Sequence, residues 1–158
     1  MAFEIVTAPL LSLPADAVVN QANGGLQYAS GVCGEIFDAA GKLPLQRACC
    51  AIGSCPVGEA VVTEGFGLKA KYIIHTVPPR WCGGKYGEDR LLEKCYENVL
   101  NLAFRLNVAT LAVPLLSFNL CGYPSERGIF VAKKVILRSP YVVDMDVFLS
   151  LSPCSAAG

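Results

Sequence analysis

Two glycine- and asparagine-rich loops contain residue types that could bind a small anion. The first loop spans residues 20–34, with Asn20 and Asn23 near its start and Gly31-Val32-Cys33-Gly34 at its end. Glycines let the backbone approach a ligand closely, and a helix that starts near Gly31 points unpaired N–H groups at that ligand. The two asparagine amides can bind hydroxyl groups or fix the loop. A turn without any ligand explains the glycines equally well.

The second loop follows another apolar run and leads into another helical pattern. Two such strand–loop–helix units can place two sets of N–H donors around one diphosphate. Neither loop has the Lys-Ser/Thr ending of a P-loop, which disfavours a phosphoryl-transferring NTPase. The candidate residues of the second loop are Ser117, Phe118, Asn119, Leu120, Cys121, Gly122 and Tyr123.

Three side chains could add chemistry to these loops. Cys33 lies where a helix N-terminus could lower its pKa, but no basic residue lies beside it in sequence, so a place in the pocket wall is the main interpretation. Glu35, in the first turn of the predicted helix, serves the helix dipole or positions a water molecule. His75 lies inside an apolar run, which favours a core histidine.

Alternating strand and helix patterns must position these residues. The predicted strands are Phe3–Val6, Ala17–Asn20, Ala60–Thr63, Tyr72–Val77, Thr110–Leu115 and Tyr141–Leu149. The predicted helices are Val32–Ala40, Pro44–Ile52, Glu88–Leu106 and Ser125–Leu137. This alternation predicts an α/β fold with helices on both faces of a mostly parallel sheet. Ligands of such folds bind in the crevice at the carboxyl ends of the strands.

Composition narrows the function classes. The chain has 158 residues, 53% of them hydrophobic, and equal numbers of basic and acidic residues, 13 of each. A binder of extended nucleic acid normally has a basic surplus, so we expect no such partner. No apolar run is long enough to cross a bilayer, and no signal peptide is recognised, so we expect no membrane association and a cytoplasmic location.

The cysteines indicate reduced thiols rather than a disulfide framework or a metal site. The chain has eight cysteines and one histidine, without a pair of Cys-x-x-Cys motifs. We therefore expect no metal and no cofactor.

The chain resembles the macrodomains in several ordered motifs between residues 16 and 124. Residues 16–23, DAVVNQAN, resemble the family's V-D-A-I-V-N-A-A-N, and residues 31–41, GVCGEIFDAAG, resemble G-V-D-G-A-I-H-x-A-A-G. Residues 58–66 and 70–81 resemble G-x-A-x-x-T-x-G-Y and A-K-Y-V-I-H-T-V-G-P-x-W. Cys95-Tyr96 and Gly122-Tyr123-Pro124 also fit.

This resemblance implies a three-layer α/β/α macrodomain with a central mixed sheet over residues 1–152, followed by a tail at 153–158. It implies that Asn23 binds the ribose farther from the adenine and that residues 31–34 line the diphosphate and that ribose. Residues 117 and 119–122 would form the second phosphate loop, with Tyr123 as a wall near the terminal ribose. The expected partner is ADP-ribose or an ADP-ribosylated protein.

Four departures from the family pattern bear on specificity and catalysis. Pro9 stands where an aspartate often recognises the adenine amino group, and Leu151 where an aromatic ring often stacks on adenine. Losing such a base contact costs about 1–3 kcal/mol of discrimination. In the second loop Phe118-Asn119 replaces the usual Thr-Gly, so the turn survives through Asn119 or Phe118 reshapes the pocket.

Cys33 stands where many hydrolytic members carry an aspartate that positions water, and a neutral thiol is a poor general base. Some members hydrolyse without that aspartate, so the resemblance leaves two functions open. One is hydrolysis of ADP-ribosyl bonds on proteins or of O-acetyl-ADP-ribose, with Asn23, Cys33 and Glu35 as candidate catalytic residues. The other is a non-catalytic ADP-ribose reader, or a divergent member for another nucleotide.

Overall fold

Six strands form one mixed sheet in the part of the chain that the computed structural model describes, residues 2–116 and 123–151. The strands are β1 (Ala2–Val6), β2 (Ala17–Gln21), β3 (Ala60–Glu64), β4 (Tyr72–Thr76), β5 (Thr110–Pro114) and β6 (Asp146–Ser150). Their order in the sheet is β1-β6-β5-β2-β4-β3. All neighbouring pairs are parallel except β3 and β4, which are antiparallel.

Within the same described residues, four α-helices cover the two faces of this sheet. They are α1 (Val32–Ala40), α2 (Lys42–Ile52), α3 (Glu88–Arg105) and α4 (Ser125–Arg138). The side chains of β2 alternate between the faces: Val18 joins the apolar cluster of α1 and α2, whereas Val19 joins that of α3 and α4. The predicted three-layer α/β/α architecture is confirmed.

The sequence pattern predicted most element boundaries to within one or two residues. The exception is the last strand, for which the prediction of Tyr141–Leu149 was wrong at its start. Residues Pro140–Val142 form a short 3-10 helix, in which the Ser139 hydroxyl accepts a hydrogen bond from the Tyr141 N–H at 3.1 Å. Val142 and Met145 still bury their side chains in the core. An apolar run therefore marks burial here without marking a strand.

The topology creates a crevice beside β2 and β5. These strands are parallel neighbours, so the segments that follow them leave the same edge of the sheet. The segment after β2 leads to α1 on one face, and the segment after β5 leads to α4 on the other. Divergence of neighbouring connections to opposite faces is the geometry that opens a ligand crevice in α/β sheets.

Candidate functional site

Helix α1 is the element that follows β2, and its first peptide N–H groups have no acceptors within the helix. Gly31 precedes the helix with φ +78°, a backbone conformation that side chains rarely adopt. The first intrahelical bond runs from the Glu35 N–H to the Gly31 carbonyl at 3.1 Å. The N–H groups of Val32, Cys33 and Gly34 therefore have no intrahelical acceptor. Gly31 also has no side chain that could cap them, so this helix end can accept an anion.

Gly34 is required by close packing at the start of α1. A Cβ at this position would lie 2.7 Å from the Ala29 carbonyl oxygen and 3.1 Å from the Tyr28 hydroxyl. The first distance is shorter than real Cβ contacts, and the opposing atom belongs to the backbone. The segment before α1 is therefore folded tightly over the first turn of the helix.

The side chain of Asn23 fixes the first loop. Its Oδ1 accepts a hydrogen bond from the Gln27 N–H at 2.9 Å, and its Nδ2 donates to the Gln27 carbonyl at 3.0 Å. Asn23 is exposed, and an asparagine amide retains a second N–H and further lone pairs after these two bonds. Of the two predicted uses of this amide, the structure describes the one that fixes the loop; ligand binding stays a prediction.

Gln46 on α2 holds the same loop from its other side. Its Nε2 donates to the Leu26 carbonyl at 3.3 Å, and its Oε1 accepts from the Tyr28 N–H at 3.2 Å. Leu26 is buried at φ +54°. Sequence reasoning missed Gln46, since nothing local marks a residue of a later helix as a loop partner. Gln27 offered a weak signal because it lies four residues after Asn23 in a glycine-rich loop.

Asn20 belongs to a row of buried, hydrogen-bonded side chains that also contains His75 and Thr63. Its Nδ2 lies 3.0 Å from Nδ1 of His75, whose Nε2 lies 3.0 Å from the Thr63 hydroxyl. That hydroxyl donates to the Glu64 carbonyl, so it accepts from His75, and the neutral imidazole carries its proton on Nε2. Burial lowers the pKa of His75 to about 4. The prediction of a core histidine is confirmed.

The oxygen of the Asn20 side-chain amide differs from the other polar atoms of this row of side chains. Asn20 is 1% exposed, and its Oδ1 has no hydrogen-bond partner within residues 2–116 and 123–151. Its Nδ2 also points toward Cys33, with an N···S distance of 3.7 Å. Asn20 thus links the end of β2 to the start of α1 and leaves one acceptor at that junction.

Cys33 is a buried thiol rather than an exposed nucleophile. It is 3% exposed, and its Sγ lies 3.8 Å from the Gln27 carbonyl. Burial raises the pKa of the Cys33 thiol, and hydrogen bonds from Asn20 and Ala29 only partly oppose this effect. The thiol is therefore protonated at neutral pH. This environment gives no support to Cys33 as a base or nucleophile and fits the pocket-wall interpretation.

The other predicted site residues are described only in part. Val32 and Glu35 lie in the first turn of α1 with half-buried side chains. Tyr123 is buried: its ring packs 4.8 Å from Trp81 between centroids, and its hydroxyl donates to Asp89. Its described contacts are thus with the core, and a wall role near a ribose stays a prediction. Ser117, Phe118, Asn119, Leu120, Cys121 and Gly122 lie outside the described residues.

Comparisons with known proteins agree with this architecture. A family model described as Macro domain matches residues 19–132. The chain belongs to the macro domain family. A macro domain-containing protein of Methanosarcina mazei is 44% identical over 128 residues, which cover 81% of this chain and 68% of that protein.

Two further similarities bear on function. The Oceanobacillus iheyensis macrodomain with ADP has a TM-score of 0.88 and 32% identity, covering 94% of this chain and 82% of that chain. A protein of Pantoea vagans named O-acetyl-ADP-ribose deacetylase 1 is 37% identical over 136 residues, which cover 84% of this chain and 79% of that protein.

Two hydrogen bonds join the carboxyl ends of β1 and β6 in this macro domain. The Ser150 hydroxyl donates to the Ala8 carbonyl at 2.7 Å, and the Leu151 N–H donates to the Val6 carbonyl at 2.9 Å. Pro9 starts a short 3-10 turn at Leu10–Ser12. Neither Pro9 nor Leu151 supplies a carboxylate or an aromatic ring here. The predicted loss of these adenine contacts stays a prediction.

Another organised loop lies between β4 and α3. The buried carboxylate of Glu88 accepts hydrogen bonds from the backbone N–H groups of Cys82, Gly84 and Tyr86 at 2.8, 2.9 and 2.7 Å. Burial opposes ionisation, but these bonds lower the pKa of Glu88 to about 2. The sequence pattern marked Glu88 only as the start of a predicted helix, so its main structural role was missed.

Metal-ligating side chains do not cluster within residues 2–116 and 123–151. No group of three or more His, Cys, Asp or Glu side chains in these described residues could hold a metal ion. Over the same residues, no helix is both long enough and apolar enough to cross a membrane.

Proposed function

We propose that this macro domain binds ADP-ribose, free or attached to a protein, through its diphosphate. The observation that carries the proposal is the start of α1, where three consecutive peptide N–H groups lack intrahelical acceptors. Such a helix end suits phosphate because the donors and the dipole act together. The solved relative with ADP and the relative named as a deacetylase of O-acetyl-ADP-ribose support the ligand class.

Neutral net charge is compatible with this ligand. Backbone amides bind a diphosphate without basic side chains, so a chain with 13 basic and 13 acidic residues can still hold it. The same balance disfavours an extended polyanion as partner.

Calorimetry with ADP-ribose, ADP and AMP tests the proposal. We expect ADP-ribose to bind most tightly and AMP most weakly, because AMP lacks the second phosphate and the distal ribose. Asn23→Ala removes both hydrogen bonds that fix the first loop, and we expect it to weaken ADP-ribose binding about tenfold. Asn101→Ala, on α3 away from the crevice, is the matched control. Equal affinity of Asn23→Ala and wild type would contradict the assigned site.

Hydrolysis of an ADP-ribosyl or O-acetyl ester bond is the second candidate function. The name of the Pantoea vagans relative favours it. Because the Cys33 thiol is neutral, we propose that the water would then be oriented by the ligand and by the N–H and the oxygen lone pair of the Asn23 amide that the two loop hydrogen bonds do not use. A positioning role for Glu35 belongs to the same proposal.

Product release from O-acetyl-ADP-ribose and from mono-ADP-ribosylated protein distinguishes hydrolase from reader. If the protein is a hydrolase, we expect Cys33→Ala to retain most activity and Asn23→Ala to lose most of it. A reader binds both compounds and releases no product. Loss of activity in Cys33→Ala, with ADP-ribose affinity unchanged, would instead assign the chemistry to the thiol.

We also propose a cytoplasmic location. The six cysteines that the structure describes are all free thiols, which supports a reducing compartment: Cys33, Cys49, Cys50, Cys55, Cys82 and Cys95. Fractionation of cells that express the tagged full chain would test this.

A further inference from the structure

Two side-chain amides bind the same short stretch of the first loop. Asn23 accepts a hydrogen bond from the Gln27 N–H at 2.9 Å and donates to the Gln27 carbonyl at 3.0 Å. Gln46 of α2 donates to the Leu26 carbonyl at 3.3 Å and accepts from the Tyr28 N–H at 3.2 Å. These four backbone groups belong to two consecutive peptide units. Each unit is therefore bonded once by Asn23 and once by Gln46.

The two amides lie on opposite sides of these peptide units. Both peptide bonds are trans, so the C=O and the N–H of each unit point in opposite directions. In the first unit, the carbonyl bonds to Gln46 and the N–H to Asn23. In the second unit, the carbonyl bonds to Asn23 and the N–H to Gln46. Removal of either amide leaves one side of each unit without its side-chain partner.

Only one of the two amides is carried by a packed element. Leu45 and Cys49 of α2 are 0% exposed, so packing in the core fixes the position of this helix and of Gln46 on it. Asn23 is an exposed residue of the loop itself. The position of the two peptide units is therefore set by Gln46, and the Asn23 amide is oriented by the units to which it bonds.

The residues after α2 hold the loop at a further point. The Cys55 N–H donates to the Gly24 carbonyl at 2.9 Å, and Gly24 follows Asn23 directly. Cys55 is 1% exposed, so this bond joins the loop to a buried segment. The loop thus remains attached when Gln46 is changed, and only the two peptide units beside Asn23 lose a partner.

We propose that Gln46 is a positioning residue for the Asn23 amide and thereby increases the preference of the site for a ligand with a distal ribose. This proposal rests on the proposed function and on the prediction that Asn23 contacts that ribose. After its two loop bonds, the Asn23 amide retains an N–H and an oxygen lone pair. Groups that are already oriented bind a ligand without a cost of ordering. Gln46 needs no contact with the ligand to act in this way.

Replacement of the Gln46 amide tests this role. Gln46→Met removes both hydrogen bonds and keeps an unbranched side chain of similar length, and Gln46→Ala removes them without adding an apolar group. Calorimetry with ADP-ribose and with ADP gives the preference for the distal ribose, because ADP has the diphosphate and lacks that sugar. Thermal unfolding of each variant measures any general loss of stability.

Ser139→Ala is the matched control. It removes another hydrogen bond between a side chain and the backbone, the one that Ser139 accepts from the Tyr141 N–H at 3.1 Å. These residues lie in the connection that leads into the amino end of β6. Because β6 is parallel to β5, that end lies at the edge of the sheet opposite the carboxyl ends of both strands.

We expect Gln46→Met and Gln46→Ala to reduce the preference for ADP-ribose over ADP about fivefold. Ser139→Ala should change it less than about twofold. If Gln46 only stabilises the fold, its variants lower the unfolding temperature and leave the preference unchanged, and that result would overturn the proposal. A loss in only one of the two Gln46 variants would assign the effect to the introduced side chain and would also overturn it.

A double-mutant cycle adds a second readout. If Gln46 acts through Asn23, the variant with both Gln46→Met and Asn23→Ala should lose no more preference than Asn23→Ala alone. Additive losses would separate the two residues and overturn the proposal.

The wild-type protein distinguishes failure of this proposal from failure of the proposed function. A wild type that does not bind ADP-ribose would refute both. A wild type that binds ADP-ribose and ADP equally would overturn the role of Gln46 and leave diphosphate binding in place. A wild type that prefers ADP-ribose, with an unchanged preference in the Gln46 variants, would refute only the positioning role.

Discussion

His75 makes the free energy of unfolding of this protein depend on pH between about 4 and 6.5. It is the only histidine of the chain, and it is fully buried between Asn20 and Thr63. Burial lowers its pKa from 6.5 to about 4, so the imidazole is neutral in the folded protein over a range in which the unfolded chain is protonated. Between these two values the unfolded state binds more protons, and stability therefore rises with pH.

The size of this effect follows from the two pKa values. One pKa unit corresponds to about 1.4 kcal/mol, so the shift from 6.5 to about 4 corresponds to about 3 kcal/mol. The contribution is fully present above pH 6.5, declines as the pH falls from 6.5 to about 4, and is absent below that. We expect the free energy of unfolding to fall by about this amount, in addition to the effects of the carboxylates.

His75→Gln isolates the contribution of the imidazole. A glutamine side chain can accept from Asn20 and donate to Thr63 through its amide, but it does not titrate. Urea unfolding followed by Trp81 fluorescence between pH 7 and pH 4 gives the free energy of unfolding of both proteins. The carboxylates, including Glu88, affect both proteins alike and cancel in the difference. We expect wild type to lose about 3 kcal/mol more than His75→Gln over this range.

Parallel pH profiles of wild type and His75→Gln would refute this reasoning. So would an imidazole that titrates near pH 6.5 in the folded protein by NMR. Either result would mean that the folded protein accommodates the charged ring, in conflict with its burial and its two neutral partners.

Three further predictions follow from single contacts. Gly34→Ala places a Cβ 2.7 Å from the Ala29 carbonyl oxygen and should lower the free energy of unfolding in urea by about 1–3 kcal/mol. Gly128→Ala on α4 is the control, because its Cβ would have neighbours at 3.6 Å or more and should not destabilise the protein. Equal losses in the two variants would contradict the packing argument. Glu88→Gln should lower the hydrogen-exchange protection of the Cys82, Gly84 and Tyr86 amides, taken relative to the intrinsic exchange rate at each pH, but not that of α4. Lowering the pH through 4.5 toward about 2 should do the same in wild type, since the carboxylate contribution exists above this range. Unchanged protection would contradict these hydrogen bonds. Iodoacetamide should modify the exposed Cys50 and Cys82 before the buried Cys33 and Cys49. Burial raises the pKa of both buried thiols, that of Cys49 to about 11, and the thiolate is the reactive form. Early labelling of Cys33 would contradict this and make Cys33 a candidate nucleophile again.

The boundary of the last strand shows how local patterns fail. Residues 141–149 are apolar enough to predict one continuous strand, but Val142 and Met145 reach the core from a 3-10 helix and the turn that follows it. Burial of a side chain depends on where the backbone passes the core, and several backbone conformations satisfy it. Periodicity cannot distinguish between them over so few residues.

The sequence by itself determined the layers of the fold, the loop before α1, the core position of His75 and the family, because periodicity, glycines and ordered motifs are all encoded within short stretches. Only the tertiary structure decided what the polar side chains of the site bond to. Asn20 contacts a histidine 55 residues away, Gln46 bonds to the first loop from α2, and Tyr123 donates to Asp89, 34 residues earlier. These partners are set by strand register and helix packing, which bring together groups whose sequence separation carries no signal. The same packing buries Cys33 and keeps its thiol protonated, although a helix N-terminus in isolation favours the thiolate.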